Sequence, residues 1–330
     1  MITEKILQKY PSFVKYLTGL PAENFWELVA KVEAQLPEYD HQRHARPDRQ
    51  RAAGAGRDYA QSLAVRIAML LAYLRVHGPQ RLIGLLLGGT QSGLSRDLRR
   101  LLPLLKPWLP VPEVWQVVAE GEALSAAEVL QGEVLVDGRV LVDATEQTVY
   151  RAQENEVRKK YYSGKKKAFT LKTQLVNDGE HHIVAISTAV PGAMHDKKLS
   201  DQVDTIARLP EGSDAYVDKG YQGVDKQVQL VTVRNTETGH VQSAPRVTVH
   251  IPIKKPKGQE LTEEQKALNQ QISSIRVRVE HTIGWVKNWA IIATRFRCAH
   301  TIYTSVLQVV CGLVNWQTAR WQAAKALALG

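Results

Sequence analysis

The chain has 330 residues, which at ~150 residues per domain suggests about two domains. Lys and Arg total 43 against 33 Asp and Glu, a net charge of +10, and 44% hydrophobic with 23% charged residues excludes wholesale disorder. Two cysteines, Cys298 and Cys311, are too few for a disulfide framework or a four-ligand zinc site, and no run approaches the ~20 apolar residues of a membrane span.

MITEKILQKYPSF lacks the apolar core of a signal peptide, so an intracellular, cytoplasmic protein is expected, with a polyanionic partner favoured by the charge. Residues 1–40 carry a helical rhythm: Ile6, Tyr10, Phe13, Val14 and Leu17 share one face, Phe25, Leu28, Val29, Val32 and Leu36 another, with Pro21 between two helices. A basic stretch with Arg43, Arg46, Arg49, Arg51 and Arg57 follows, read as a linker or a phosphate-contacting arm; residues 1–60 form the first region.

Residues 61–106 predict three helices: SLAVRIAMLLAYLRVH, then PQRLIGLLLGG with Pro at its first turn and Gly88-Gly89 at its end, then TQSGLSRDLRRLLPLLK capped by Thr90. A short helix, a glycine turn and a helix with a basic face match a helix-turn-helix pattern. Its exposed set is Gln91, Ser92, Ser95, Arg96, Arg99 and Arg100, with Leu94, Leu98, Leu101 and Leu102 inward. Residues 107–130, with Pro107, Pro110 and Pro112 and then an acidic helical piece, read as a connector.

From about residue 133 the period changes. GEVLVDGRVLVDAT holds two apolar runs around the hairpin dipeptide Asp137-Gly138. FTLKTQLVND and HHIVAISTAV are further strands, AMHDKKLSDQVDTIARL a helix, DAYVDKGYQG and RVTVHIPIK strands, and 262–297 a long helix with Leu268, Ile272, Ile275, Val279, Ile283 and Val286 as its buried stripe. The order, three antiparallel strands and then helix, strand, helix, strand, helix, suits a mixed α/β sheet with helices on both faces. Residues 228–246 read as an extra hairpin or loop, and the last helix occupies 301–330.

Three acids stand out. Asp143 closes the apolar run VLVDAT, Asp218 closes AYVDKGY, and Glu280 lies in the long helix. A carboxylate at the end of a buried strand is expensive without a partner, a metal or water. Three such oxygens meeting at one sheet edge suit Mg²⁺ or Mn²⁺, and two ions there activate a hydroxyl for attack on a phosphodiester. Taken singly, each acid is as well explained as a turn or helix cap. Arg276 and Lys287 fall within about 40° of Glu280 on the helix surface, placed either to hold a nucleic-acid backbone or to form a solvated ion-pair ladder.

The ordered set VDATE, RAQENEVRKKYYSGKKKAFTLKTQ, PGAMHD, VDKGYQG and RVRVEHTIGWVK resembles the insertion-sequence family-five transposases of the DDE (Asp-Asp-Glu) type, densely over 133–300. The resemblance implies a ribonuclease-H-like core with a mixed five-stranded sheet over 131–300 and a DNA strand-transfer enzyme. It implies Asp143, Asp218 and Glu280 as catalytic metal ligands for two Mg²⁺, replaceable by Mn²⁺. Arg276 and Lys287 match the signature's basic residues, while Ser273 stands where its Tyr is usual. The resemblance favours phosphate contact for Lys165, Lys166 and Lys167, whose alternative role is a solvated hairpin edge, and places His195 and Asp196 near the site, either to orient water or metal or to cap the following helix. The implied partner is double-stranded DNA, element ends and target, bound by a homodimer or larger assembly at the nucleoid. A domesticated DNA-binding protein without catalysis and a metal-dependent nuclease without joining are the alternatives.

Overall fold

The computed structural model describes residues 2–45, 59–117, 130, 135–234 and 241–329. In chain order these form helices α1 (Glu4–Lys9), α2 (Pro11–Thr18), α3 (Ala22–His44), α4 (Leu63–Val76), α5 (Gln80–Leu87) and α6 (Gln91–Leu105), then strands β1 (Glu113–Trp115) and β2 (Arg139–Thr148). Helix α7 (Asn155–Tyr161) leads to β3 (Tyr162–Ser163), β4 (Ala168–Asp178), β5 (Ile183–Ser187) and β6 (Val190–Pro191). After α8 (Asp196–Gln202) and α9 (Thr205–Arg208) come β7 (Asp214–Tyr216), β8 (Leu230–Arg234), β9 (Val241–Pro245) and β10 (Thr248–His250). Helices α10 (Glu263–Lys287), α11 (Ala290–Ala293) and α12 (Tyr303–Leu329) close the chain. No helix among the described residues is long and apolar enough to cross a membrane.

The chain divides into two compact units: residues 1–111, 286–294 and 298–330, and residues 112–285 with 295–297. The first is helical. Its centre is α4, buried along nearly its whole length from Ala64 to Leu74, as expected of a helix apolar on every side. Ser62 caps it by accepting from the Val65 N–H, and His77 ends it in the left-handed region, one residue before the predicted Gly78. Burial catches one charge, Arg66, which pairs with Asp97 of α6 at 2.5 Å with both side chains about 5% exposed. Its guanidinium also lies 3.6 Å from the centre of the Tyr59 ring. Thr90 caps α6 as predicted, accepting from the Gly93 N–H at 3.0 Å, and Leu94, Leu98, Leu101 and Leu102 are buried.

The second unit is built on a mixed sheet of order β1-β5-β4-β2-β7-β10, with β3 and β6 added to β4. Strands β2, β4 and β5 pair antiparallel, while β7 and β10 are parallel to β2. The predicted five-stranded core is therefore embedded in an eight-stranded sheet. The connector contributes β1, parallel to β5, a strand that three closely spaced prolines hide from a sequence reading. No helix separates β7 from β10 among the described residues: short 3₁₀ turns and the hairpin β8–β9 fill that connection. This hairpin lies within the extra segment at 228–246. The 196–208 helix is broken at Asp204, which takes a left-handed φ of 50°. The long helix stops at Lys287 instead of 297. Asp137 and Gly138 both adopt positive φ, but in a 3₁₀ turn, Val136–Gly138, and the predicted hairpin is not formed among the described residues: β4 and β7 occupy both edges of β2 at Val140 and Leu141, leaving no edge for the preceding run. Residues 131–134 of that segment lie outside the described residues, as does the acidic piece at 118–129.

One face of this sheet carries Val140, Val142 and Val176 against Leu199, Val203 and Ile206 of α8 and α9. The other packs Leu141 and Tyr216 under Ile272 and Val279 of α10, the predicted stripe. Replacing Asp97 by Ala leaves the Arg66 charge buried without a counterion, so the variant is expected to lose about 3–5 kcal/mol, read from urea unfolding midpoints.

Candidate active site

The site begins with a register. β2 and β7 pair in parallel with Leu141 opposite Tyr216. Two residues further along each chain stand Asp143 and Asp218, level with each other and, by the period of two, on the same face as Leu141 and Tyr216. That face lies under α10. The apolar run ends at Asp143, but β2 continues to Thr148, because residues 144–148 keep pairing with β4 from Gln174 to Thr170. Asp143 is thus an interior strand residue at the level where its parallel neighbour turns away. Asp218 precedes the 3₁₀ turn Lys219–Tyr221.

Helix α10 brings Arg276 into this corner. Its Nη1 lies 3.3 Å from Asp218 Oδ1 and its Nη2 3.7 Å from Asp143 Oδ2. The guanidinium is buried, whereas Asp143 and Asp218 keep 21% and 35% of their side chains exposed. Asp143 Oδ1 also accepts from the Ala144 N–H at 2.8 Å. Burial pushes the Asp143 carboxyl up to about 6, opposed by the Arg276 charge and the Ala144 N–H; Asp218 adds to the rise and Lys165 opposes it. The register of α10 is set by its apolar stripe and by the β4–β5 turn. There His181 Nδ1 lies 3.1 Å from the Arg278 carbonyl and 3.2 Å from Thr282 Oγ1, and its ring packs 4.8 Å from Trp285.

A second polar cluster occupies the opposite face of the same strands. Glu146 and Lys172 are directly paired across β2 and β4. Lys172 Nζ donates to Asp196 Oδ1 at 2.7 Å and to the Met194 carbonyl at 2.5 Å, and stands 3.6 Å from Glu146 Oε1. The other Glu146 oxygen accepts from Thr170 Oγ1 at 2.7 Å. Tyr221 is fully buried in the core on this same face, its hydroxyl donating to Gln174 Oε1 at 3.3 Å. Burial raises its phenol well above the ordinary range, and the charges of Asp143, Asp196 and Asp218 push it the same way.

Residues 142–315 match the family model of the DDE superfamily endonucleases. The chain belongs to that family. It is also 25% identical over 319 residues, 97% of this chain and 99% of the relative, to a probable transposase for insertion sequence element IS702 from Microchaete diplosiphon. No solved structure matches the chain.

In this DDE-family chain the predicted site residues divide. Asp143, Asp218 and Arg276 come together, with Arg276 as a buried countercharge, not a rung of a surface ladder. Glu280 is exposed, one turn from Arg276 along the same flank of α10, and among the described residues it does not make up with Asp143 and Asp218 a three-acid group arranged to hold a metal. Lys287 sits in the last turn of α10, within the helical unit. Lys165, Lys166 and Lys167 form the exposed tip of the β3–β4 hairpin, and Lys165 is close enough to act on Asp143. His195 is exposed and precedes α8 without a side-chain cap bond. Asp196 belongs to the Lys172 cluster. On α6, Gln91, Ser92, Arg96 and Arg99 are exposed, and Ser95 and Arg100 half-buried, Arg100 donating to the Tyr59 hydroxyl at 2.9 Å.

Sequence reading missed Lys172, Glu146, Thr170 and Tyr221. Their signal was a lysine inside the otherwise uncharged strand FTLKTQLV and a glutamate three residues after Asp143. Among the described residues no group of three or more His, Cys, Asp or Glu side chains is arranged to hold a metal ion. The Asp143–Asp218 pair does offer the hard oxygen donors that Mg²⁺ and Mn²⁺ take, and the Arg276 Nε beside it has no hydrogen-bond partner among the described residues.

The raised Asp143 carboxyl has a stability consequence in chelated, metal-free protein. The folded chain holds this proton to about pH 6, whereas the unfolded chain releases it near the ordinary value of 3.8. The fold therefore binds more protons between those values, and stability falls as pH rises through them, by roughly 3 kcal/mol at the full shift. Asp143→Asn is expected to raise the melting temperature at pH 7.5 and to lose that advantage at pH 4, measured by thermal unfolding in EDTA.

Proposed function

We propose that this chain is the transposase of an insertion sequence, a metal-dependent DNA endonuclease and strand transferase on a ribonuclease-H-like core. The observation that carries the reading is the Asp143–Asp218 pair, held level on adjacent parallel strands by Arg276, in a member of the DDE endonucleases. Similarity to a probable transposase over almost the whole of both chains supports the same reading. Asp143, Asp218 and Glu280 would hold Mg²⁺ or Mn²⁺, which would supply Lewis-acid stabilisation of the charge that develops on the attacked phosphate.

The reaction has two in-line phosphoryl transfers. Water attacks the phosphodiester at the element's end and releases a 3′-hydroxyl, and that hydroxyl then displaces a 3′ oxygen in target DNA. No covalent protein intermediate is required, and both steps make the same demands of one site. The basic hairpin tip Lys165–Lys167 neutralises backbone phosphates near the acids, and Lys287 at the end of α10 adds a further cation for DNA, while Arg276 stays committed to the two aspartates. Residues 61–106 act as a helix-turn-helix, with Gln91, Ser92, Ser95, Arg96, Arg99 and Arg100 of α6 facing the inverted repeats. In this division 1–60 precede that module, 107–130 connect it to the core at 131–300, and 301–330 form the C-terminal helix. Joining two ends calls for at least a homodimer on DNA, acting at the nucleoid.

One observation favours a second reading, a DNA-binding protein of this fold without catalysis: Glu280 stands exposed outside the acid pair. Duplex carrying the DNA that borders this reading frame separates the two. With Mg²⁺ or Mn²⁺ the wild type is expected to nick and join it, and Asp143→Asn, Asp218→Asn and Glu280→Gln are expected to abolish both while still binding it. Metal-dependent cleavage that survives Asp218→Ala rules out this site; binding with no cleavage by the wild type supports the second reading.

Replacing Lys165, Lys166 and Lys167 together by Ala is expected to weaken binding evenly across sequences. The slope of log affinity against log salt should fall by about 0.9 for each phosphate that the loop no longer neutralises. An unchanged slope in titrations at several salt concentrations removes this loop from the interface.

A further inference from the structure

The Lys172 cluster lies on the far side of the sheet from the acid pair, yet it is linked to the loop that carries Asp218. Lys172 is about 6% exposed and uses its ammonium to tie three segments: β2 through Glu146, the Gly192–Met194 strap through the Met194 carbonyl, and the start of α8 through Asp196. The strap is fixed independently, since the Gly192 N–H donates to the Thr170 carbonyl at 2.9 Å. A side chain at Gly192 would collide with Thr170, whose hydroxyl holds Glu146. Asp196 is therefore immobilised on one side by a buried cation.

Its other oxygen faces Gly220. A methyl group placed on Gly220 would lie 2.8 Å from Asp196 Oδ2 and 3.4 Å from Asp196 Cβ, closer than the turn can accept without a shift. Gly220 is two residues after Asp218, in the turn that begins at that acid. The chain of contact runs from Lys172 to Asp196, from Asp196 to Gly220, and from Gly220 to Asp218. Tyr221, the next residue of the turn, is locked into the core below.

We propose that Lys172, acting through Asp196, is a positioning residue that sets the Asp218 carboxylate level with Asp143. The inference rests on the reading of Asp143 and Asp218 as the catalytic acids. Buried charges held by short hydrogen bonds have one low-energy arrangement, which makes such a cluster a stiff support for an otherwise partly exposed turn. A carboxylate displaced by as little as ~1 Å loses much of its contribution to a reaction that depends on alignment.

The test uses full-length protein carrying Lys172→Met, Gly220→Ala, both together, or Asp218→Asn. The measurements are Mn²⁺ affinity from the electron paramagnetic resonance signal, single-turnover nicking of the bordering-DNA duplex, duplex affinity and thermal unfolding. Lys172→Met and Gly220→Ala are each expected to weaken Mn²⁺ binding and slow nicking by about tenfold or more, with duplex affinity unchanged. Because both act on the same Asp196, the double variant should be no worse than the poorer single one. Losses that multiply in the double variant overturn the proposal. Should Lys172→Met not fold, Gly220→Ala decides alone: wild-type Mn²⁺ affinity and nicking in it overturn the proposal. Asp218→Asn that nicks like the wild type sinks the catalytic reading itself. Asp218→Asn that is inactive while Lys172→Met and Gly220→Ala behave as wild type sinks only the positioning role.

Discussion

An ionised carboxylate inside a sheet and beneath a helix must be answered by a positive charge, and Asp143 is in that position. Desolvation works to neutralise it, and Arg276 is the group that opposes this while touching Asp218 as well. The rest of the unit can be understood as keeping that guanidinium where it is. Ile272 and Val279 fix the face that α10 presents to Leu141 and Tyr216. His181, in a left-handed conformation at the β4–β5 turn, bonds the backbone and hydroxyl of α10 beyond that stripe. Rotation of the helix by one residue would move Arg276 by about 100° and leave two acids and one cation unpaired.

The strand β2 serves two faces at once. Its alternation sends Leu141 and Asp143 toward α10, and Val140, Val142 and Glu146 toward α8 and α9. The acid pair and the Lys172 cluster therefore stand back to back through the same few residues of sheet. Both lie near the level at which β7 turns away from β2. Open mixed sheets leave a crevice where strands diverge, and polar groups that must reach a ligand gather there. This chain places carboxylates on both sides of that edge, each side with its own buried cation.

The elements were legible where a local rule decides them. Thr90 caps α6 because a threonine oxygen satisfies a free helix N–H. Asp137-Gly138 turns because both residues tolerate positive φ, although the hairpin that the dipeptide suggested is replaced by a 3₁₀ turn. The α10 stripe repeats at the helical period, and Asp143 and Asp218 are visible as acids closing apolar runs. Other features depended on distant partners. β1 is three residues long and exists because β5 offers it an edge. β2 outlasts its apolar run because β4 continues beside it. The segment 228–246, which the sequence left open between a hairpin and a loop, carries the hairpin β8–β9, whose strands pair with each other and not with the main sheet.

By itself the order of residues determined the types of the main elements, the mixed sheet, the two interior acids and the arginine one turn from Glu280, because periodicity, capping and acid spacing are properties of neighbouring residues. Only the tertiary structure decided that Arg276 closes on both aspartates while Glu280 stays in solvent, and that Lys172 finds Asp196. Those pairings depend on strand register and helix rotation, which are set by contacts between segments far apart in the chain and leave no local periodic trace.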